Sequence, residues 1–150
     1  MTNVLWLRHG AIAGDDTDGH VDQLARFVGP RTVVAAREEN PSDENFKGLR
    51  NQFALLESMT DQDGRKLTVE PLPLPRPKYF DGHRLPACYL NFYIVNGAVI
   101  VPQFDDPADE VARSTLARLF PDREVIGLDA LQLIWGLGAF HCLSQQEPCG

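Results

Sequence analysis

Cys142 is the residue best suited to covalent chemistry, because a thiolate is a strong nucleophile and glycines before it let the backbone approach a tight pocket. A lone cysteine is otherwise a small buried apolar residue, and Cys88 fits that description within an apolar run. Cys149 lies in a tail. If the segment is extended, His141 faces away from its neighbour Cys142, so His20 is the expected partner imidazole.

His20 lies in an acidic segment that should attract a cation and favour a protonated imidazole able to act as an acid. Four carboxylates surround it, at Asp15, Asp16, Asp18 and Asp22. In an extended segment the side-chain period of two puts His20 and Asp22 on one face, where both could touch one substrate. The alternative is a solvated acidic turn that precedes a strand.

A bound metal would be another use for these residues. An EF-hand is excluded because aligning Gly19 with the invariant glycine puts Gly14 and Ala25 at the first and twelfth positions, where acidic ligands are needed. A transition-metal site is a weaker alternative, because no recognisable ligand spacing supports it. Its ligands would be His20, Asp22 and His141.

The composition describes one globular domain of 150 residues, of which 43% are hydrophobic. With 14 Lys and Arg against 21 Asp and Glu the net charge is −7, which should repel nucleic acid and anionic lipid. No apolar run approaches the length of a signal core or a membrane span, so we expect a cytoplasmic protein. Three cysteines are too few for a disulfide framework and favour reduced thiols.

The chain contains an internal repeat that predicts an α/β fold. Residues 27–34 and 93–101, which begin 66 positions apart, each predict a β-hairpin, the second with an Asn-Gly turn. At the same offset, proline followed by acidic residues predicts two helices that open in register. Strands should follow each helix, at residues 67–70 and 124–128. The unit is therefore hairpin, helix, strand, present twice.

Helical spacing defines an apolar face on each predicted helix, and each face needs a sheet to cover. The faces consist of Phe46, Leu49, Phe53 and Leu56 in the first helix and Ala112, Leu116, Leu119 and Phe120 in the second. The prolines of residues 71–86 predict an ordered loop, with a proline-rich recognition segment as the alternative. Residues 4–7 resemble the last strand of an incomplete unit, which predicts a chain that forms part of a larger ring.

Three motifs resemble the C-terminal part of the agmatine deiminases, also called agmatine iminohydrolases, in the peptidylarginine deiminase-like family of guanidine-modifying enzymes. They are GDDTDGHVD at 14–22, LPACYLNFY at 85–93 and WGLGAFHCLSQQ at 135–146. The resemblance covers nearly the whole chain. This sequence departs from the common pattern at Leu137, where glycine is frequent, and at Ser144, where threonine is.

The resemblance implies a partial pentein α/β-propeller. Residues 1–150 would be the C-terminal portion of one catalytic domain, with about two full repeat units and partial units at the ends. It implies Cys142 as nucleophile, His20 as general acid and then base, and Asp22 as the carboxylate that grips the guanidinium. Asp16 would hold the distal amine of the substrate.

The implied reaction converts agmatine to N-carbamoylputrescine and ammonia, in putrescine and polyamine biosynthesis, without a metal or organic cofactor. The family's second guanidinium-binding carboxylate lies in an N-terminal half, so this chain alone is expected to show negligible activity unless that half completes it. An incomplete ring with exposed edges should bind a partner, either that half or a second copy in a homo-oligomer. The alternative is a non-catalytic α/β assembly or small-cation-binding module that retains the site residues.

Overall fold

The computed structural model describes residues 4–8 and 11–147. Two α-helices, eight strands and three short 3-10 turns make up this part of the chain. The first half contains β1 (Ala25–Phe27), β2 (Thr32–Arg37), α1 (Asn45–Ser58), β3 (Thr68–Pro73), β4 (Lys78–Phe80) and β5 (His83–Leu85). The second half contains β6 (Tyr93–Val95), β7 (Ala98–Gln103), α2 (Ala108–Leu119) and β8 (Glu124–Asp129). The 3-10 turns are Val21–Gln23, Tyr89–Asn91 and Leu133–Gly136.

The predicted repeat is confirmed as two three-stranded sheets with the same topology. In each sheet an antiparallel hairpin is followed by a helix and a strand that returns parallel to the hairpin's second strand, in the orders β1-β2-β3 and β6-β7-β8. β2 and β7 correspond at the offset of 66 residues. The second hairpin turns at Asn96 and Gly97, where a φ of 79° suits glycine. The fold is therefore mixed α/β.

The proline-rich stretch is not the loop that its composition predicts. β3 continues through Pro71 and Pro73, and β4 and β5 form a separate antiparallel hairpin. Prolines are accommodated because β3 is an edge strand that pairs only with β2, so N–H groups at alternate positions need no partner.

Two further boundaries differ from the prediction. α2 begins directly after Pro107, but α1 begins at Asn45, four residues after Pro41, so the helices do not open in register. The Asp43 side chain accepts a hydrogen bond from the Asn45 amide at 2.9 Å, directly before the first turn of α1. Residues 4–7 form no strand, although Leu5 and Leu7 pack against a small apolar cluster.

The apolar faces of both helices cover the sheets, as predicted. Leu49, Leu56, Ala112 and Leu116 are buried. The segment between the repeats also enters the core, where Tyr89, Leu90 and Phe92 are fully buried. This segment carries the polar Asn91 into the interior, next to the site described below. Neither helix of the described ranges has the length and apolar character that crossing a bilayer requires.

Candidate active site

A cavity of about 240 Å³ brings together residues from the two ends of the chain. Its walls are formed by Thr17, His20, Asp22, Gly136, Leu137, Gly138, His141 and Cys142. Three of the four site residues predicted from the sequence, His20, Asp22 and Cys142, therefore face one space. Their chemical roles stay predictions.

The first wall is the 3-10 turn Val21–Gln23 and the residue before it. This segment was expected to be extended, but it forms a turn. His20 and Asp22 nevertheless line one cavity, while Val21 is largely exposed. His20 is exposed, whereas Asp22 is buried. A tight turn thus presents an accessible imidazole beside a carboxylate held away from bulk water.

The second wall of the cavity is formed by residues 136–138 with His141 and Cys142. Asn91 links this wall to the first and was not anticipated as a site residue. Its Nδ2 donates to Asp22 Oδ2 at 3.0 Å and to Cys142 Sγ at 2.9 Å. Its Oδ1 accepts from the amides of Ala139 and Cys142, at 2.8 and 3.2 Å. One buried amide side chain therefore fixes the sulfur and the carboxylate relative to each other. The available sequence signal was a single polar residue within an otherwise apolar motif.

The expectation that His141 faces away from Cys142 is wrong. The segment around both residues is a turn, in which the Ser144 amide donates to the His141 carbonyl at 3.0 Å. Both side chains consequently line the cavity. His141 Nδ1 lies 2.6 Å from Asp22 Oδ2, so a second imidazole contacts the same carboxylate oxygen as Asn91.

The surroundings of Cys142 favour the protonated form of its thiol, although the residue as a whole is exposed. Burial raises the pKa of Cys142 and the charge of Asp22 raises it further, while the hydrogen bond from Asn91 acts in the opposite direction. The thiol lies 3.4 Å from Asp22 Oδ2 and donates to it. Complete burial raises the pKa of Cys88 to about 12, and that thiol donates to the Gln23 carbonyl. Cys88 is therefore the inert thiol of the pair.

The rate at which chloroacetamide, a neutral electrophile, alkylates Cys142 should increase with pH through a midpoint above the ordinary thiol value of about 8.5. The reason is the raised pKa of Cys142, which leaves little thiolate at neutral pH. Mass spectrometry of the modified peptide from pH 6 to 10.5 gives the midpoint, with Cys142→Ala as the control for other sites. A midpoint below 8 would contradict this account of the site.

The second wall depends on close backbone packing at Gly138. A Cβ atom added there would lie 2.6 Å from Cys142 Cβ and 2.7 Å from Cys142 Sγ. The preceding residue, Leu137, adopts a left-handed conformation with φ of 67°, and its carbonyl accepts a hydrogen bond from Gln23 Nε2 at 2.9 Å. The position of the sulfur thus requires glycine at 138. The backbone of Leu137, a position where glycine is frequent in the family, is held in its left-handed conformation by the buried side chain of Gln23.

Asp16, the fourth predicted site residue, does not line the cavity. It lies in a neighbouring hollow of about 450 Å³, whose walls are formed by Leu7, Arg8, Ala11, Asp15, Asp16, Asp18 and Gly19. Thr17 separates the two spaces, and its amide donates to Asp15 Oδ1 at 2.9 Å. Within residues 4–8 and 11–147, no three His, Cys, Asp or Glu side chains are grouped so that they could hold a metal ion.

The fold and the site define an α/β protein whose cavity combines a cysteine, two histidines and a carboxylate. The chain belongs to the Porphyromonas-type peptidyl-arginine deiminase family, whose model matches residues 1–148. It is 38% identical over 166 residues to the agmatine deiminase of Pseudomonas putida, covering 99% of this chain and 45% of that protein. The chain therefore spans about 45% of the length of the curated relatives that it matches.

Solved structures agree with this assignment. A Porphyromonas gingivalis protein assigned as an arginine deiminase superimposes with a TM-score of 0.95 at 50% identity, over 98% of this chain and 43% of that one. The agmatine deiminase of C. jejuni, solved as a cysteine-to-serine variant with substrate bound, gives a TM-score of 0.83 at 36% identity, over 91% of this chain and 39% of that one.

Proposed function

We propose that this chain carries the nucleophile, the acid-base histidine and a guanidinium-binding carboxylate of an agmatine deiminase. The observation that carries the proposal is the convergence of Cys142, His20 and Asp22 on one cavity, in a chain of this family. The agmatine deiminases among its relatives support agmatine as the substrate. The reaction would consume water and release N-carbamoylputrescine and ammonia.

Asp22 is suited to bind the guanidinium. A carboxylate accepts hydrogen bonds at both oxygens and matches the planar donors of a guanidinium. Asp22 Oδ2 is held by Asn91 and His141, while Oδ1 is buried and has no hydrogen-bond partner among the described residues. Asp22 therefore keeps acceptor capacity for a cationic ligand, in surroundings where its charge is poorly screened.

The proposed chemistry is covalent. The Cys142 thiol first loses its proton to solvent. Its Sγ thiolate attacks the central guanidinium carbon, and the C=N π electrons move to nitrogen to give a tetrahedral adduct. His20 donates a proton to one amino nitrogen, the C–N bond breaks, ammonia leaves and a thiouronium remains. His20 then takes a proton from a water that attacks the same carbon. Collapse of this second adduct breaks the C–S bond, and the proton of the new hydroxyl passes to the sulfur, which releases the ureido product and restores the thiol.

Substrate charge would activate the nucleophile. Burial and Asp22 raise the pKa of Cys142 in the free protein, so the resting sulfur is mostly a thiol. A guanidinium bound next to Asp22 offsets that negative charge and favours the thiolate. Asn91 would keep the sulfur beside the carboxylate that binds the cation, since it donates to both.

The broader setting follows from the same assignment. We place residues 1–150 in the C-terminal portion of one pentein propeller domain, because the hairpin-helix-strand unit occurs twice. We also propose a cytoplasmic enzyme of putrescine synthesis. Asp16 would lie close to the distal ammonium of agmatine, because the hollow that it lines also contains Asp15 and Asp18. An additional segment or subunit would supply the remaining guanidinium contacts.

The proposal is tested with a matched pair of electrophiles, the cationic 2-chloroacetamidine and the neutral 2-chloroacetamide. At pH 7.5 the cationic reagent should label Cys142 faster than Cys88 and Cys149, and at least tenfold faster than chloroacetamide relative to their rates with a free thiol. Agmatine should protect Cys142, and putrescine, which lacks the guanidinium, should protect it less. Peptide mass spectrometry identifies the labelled residue.

Preferential labelling of Cys149, or equal normalised rates for the two reagents without protection by agmatine, would refute the proposal. Turnover is separated from binding by acid-quenching the chain with agmatine and searching for the thiouronium adduct on Cys142. Protection without any adduct or ammonia, also when an additional segment or subunit supplies the remaining guanidinium contacts, would favour the alternative, a small-cation-binding module.

A further inference from the structure

Arg26 lies next to the site and makes contacts that the proposed chemistry does not use. From strand β1, its Nη1 donates to the Leu90 carbonyl at 3.0 Å and to the Phe92 carbonyl at 2.8 Å. These carbonyls belong to the residues on either side of Asn91. The guanidinium carbon also lies 4.4 Å from the centre of the Phe92 ring. One cation thus fixes the backbone on both sides of the amide that contacts Asp22 and Cys142.

No carboxylate of the described residues forms a direct ion pair with Arg26. Within residues 4–8 and 11–147, the carboxylates that form ion pairs do so with other basic side chains. Burial lowers the pKa of Arg26, while the negative charges of Asp22, of the Cys142 thiolate and of the Cys88 thiolate act in the opposite direction. At neutral pH, where both cysteines are thiols, the site charge that compensates this cation is therefore that of Asp22.

We infer that Arg26 is a positioning residue for this site, which clamps the carbonyls around Asn91 and supplies positive charge beside Asp22 and Cys142. The inference uses the proposed function only in taking Cys142 as the reactive thiol. The clamp is geometric, because shifting either carbonyl would move the Asn91 amide away from the sulfur. The electrostatic effect between Arg26 and Cys142 acts on both groups. A Cys142 thiolate favours the protonated arginine, so the protonated arginine favours the thiolate to the same extent.

Four other titratable side chains lie near the Cys142 sulfur, and their charges decide how strongly Arg26 can influence ionisation of this thiol. They come from three segments of the chain. Asp22 and His20 lie on the first wall, Cys88 lies before the Tyr89–Asn91 turn, and His141 lies on the Cys142 turn itself. Asp22 opposes ionisation of Cys142. The charges of Asp22 and of an ionised Cys142 both act on Arg26, so its removal should leave the carboxylate's effect uncompensated.

The test measures chloroacetamide alkylation of Cys142 against pH in Arg26→Met, Arg26→Lys and the unmodified chain. Arg26→Met should raise the midpoint by about one pH unit, since a nearby opposite charge shifts a pKa by about that much or more. Arg26→Lys keeps the charge, so its midpoint should move less. Its limiting rate at high pH should decrease at least threefold, because the lysine ammonium ends one bond short of the position of Nη1, the nitrogen that donates to both carbonyls. Arg37→Met is the control, since Arg37 packs over Phe53 at 5.4 Å, outside the Cys142 cavity.

A folded Arg26→Met chain with an unchanged midpoint would overturn the charge role, and Arg26→Lys with an unchanged limiting rate would overturn the clamp. If Arg26→Met does not fold, Arg26→Lys decides. Failure of both variants to fold would assign Arg26 to the scaffold and overturn the inference. The neutral reagent separates this test from the proposed function, because loss of the preference for chloroacetamidine would refute deiminase chemistry without affecting the midpoint shift.

Discussion

Gly138→Ala is expected to slow alkylation of Cys142 by about 100-fold, since displacing a reacting group by about 1 Å can cost that much in rate. The new Cβ would lie 2.6 Å from Cys142 Cβ, which the backbone holds, so rotation of the side chain alone cannot relieve the contact. Moving the turn would break the contact between the sulfur and Asn91. The rate constant with chloroacetamidine at pH 7.5 is the measurement, with circular dichroism to check folding.

Gly136→Ala provides the matched control for this substitution. Gly136 lines the same cavity, but a Cβ there meets nothing within 4 Å, so the rate should stay within about threefold of the unmodified chain. Equal losses in the two variants would show that the cavity as a whole tolerates no added methyl. An unimpaired Gly138→Ala chain would show that the position of the sulfur is not set by this close approach.

Asp22→Asn is expected to change the rates at which the two matched reagents alkylate Cys142 in opposite directions. The cationic chloroacetamidine should lose most of its rate advantage over chloroacetamide, because hydrogen bonds between charged groups contribute about 1.5 to 3 kcal/mol, which is about 10- to 150-fold in rate. The neutral reagent should react faster at pH 7.5, since the charge of Asp22 raises the pKa of Cys142 and its removal increases the thiolate fraction. The ratio of the two alkylation rates reports both effects.

A merely structural role for Asp22 predicts something different, namely that both reagents slow together. Asp16→Asn is the matched control, because this carboxylate lies in the neighbouring hollow and does not line the Cys142 cavity. It should leave the rates of both small reagents unchanged. If Asp16 holds the distal ammonium, the same variant should weaken protection by agmatine.

Local sequence patterns predicted most of the architecture. Alternating and β-branched residues around a turn indicate the hairpins β1-β2 and β6-β7, and helical spacing of apolar residues indicates α1 and α2. These predictions succeed because each signal depends only on residues within one helical turn or one pair of strands. The strand β3 was only partly predicted. Composition around Pro71 and Pro73 favours a loop, and only the pairing shows that an edge position removes the cost of the missing donors.

The sequence by itself determined which side chains of this protein are candidates for chemistry, since residue type, spacing and resemblance identified Cys142, His20 and Asp22 as candidate site residues. Only the tertiary structure showed that Asn91 and His141 contact Asp22, and that Arg26 donates to the Leu90 carbonyl next to Asn91. Their contacts join residues 64 to 119 positions apart in the chain. Such contacts arise from the packing of the two sheets around the segment that carries Asn91, and no local pattern encodes which polar side chains that packing brings together.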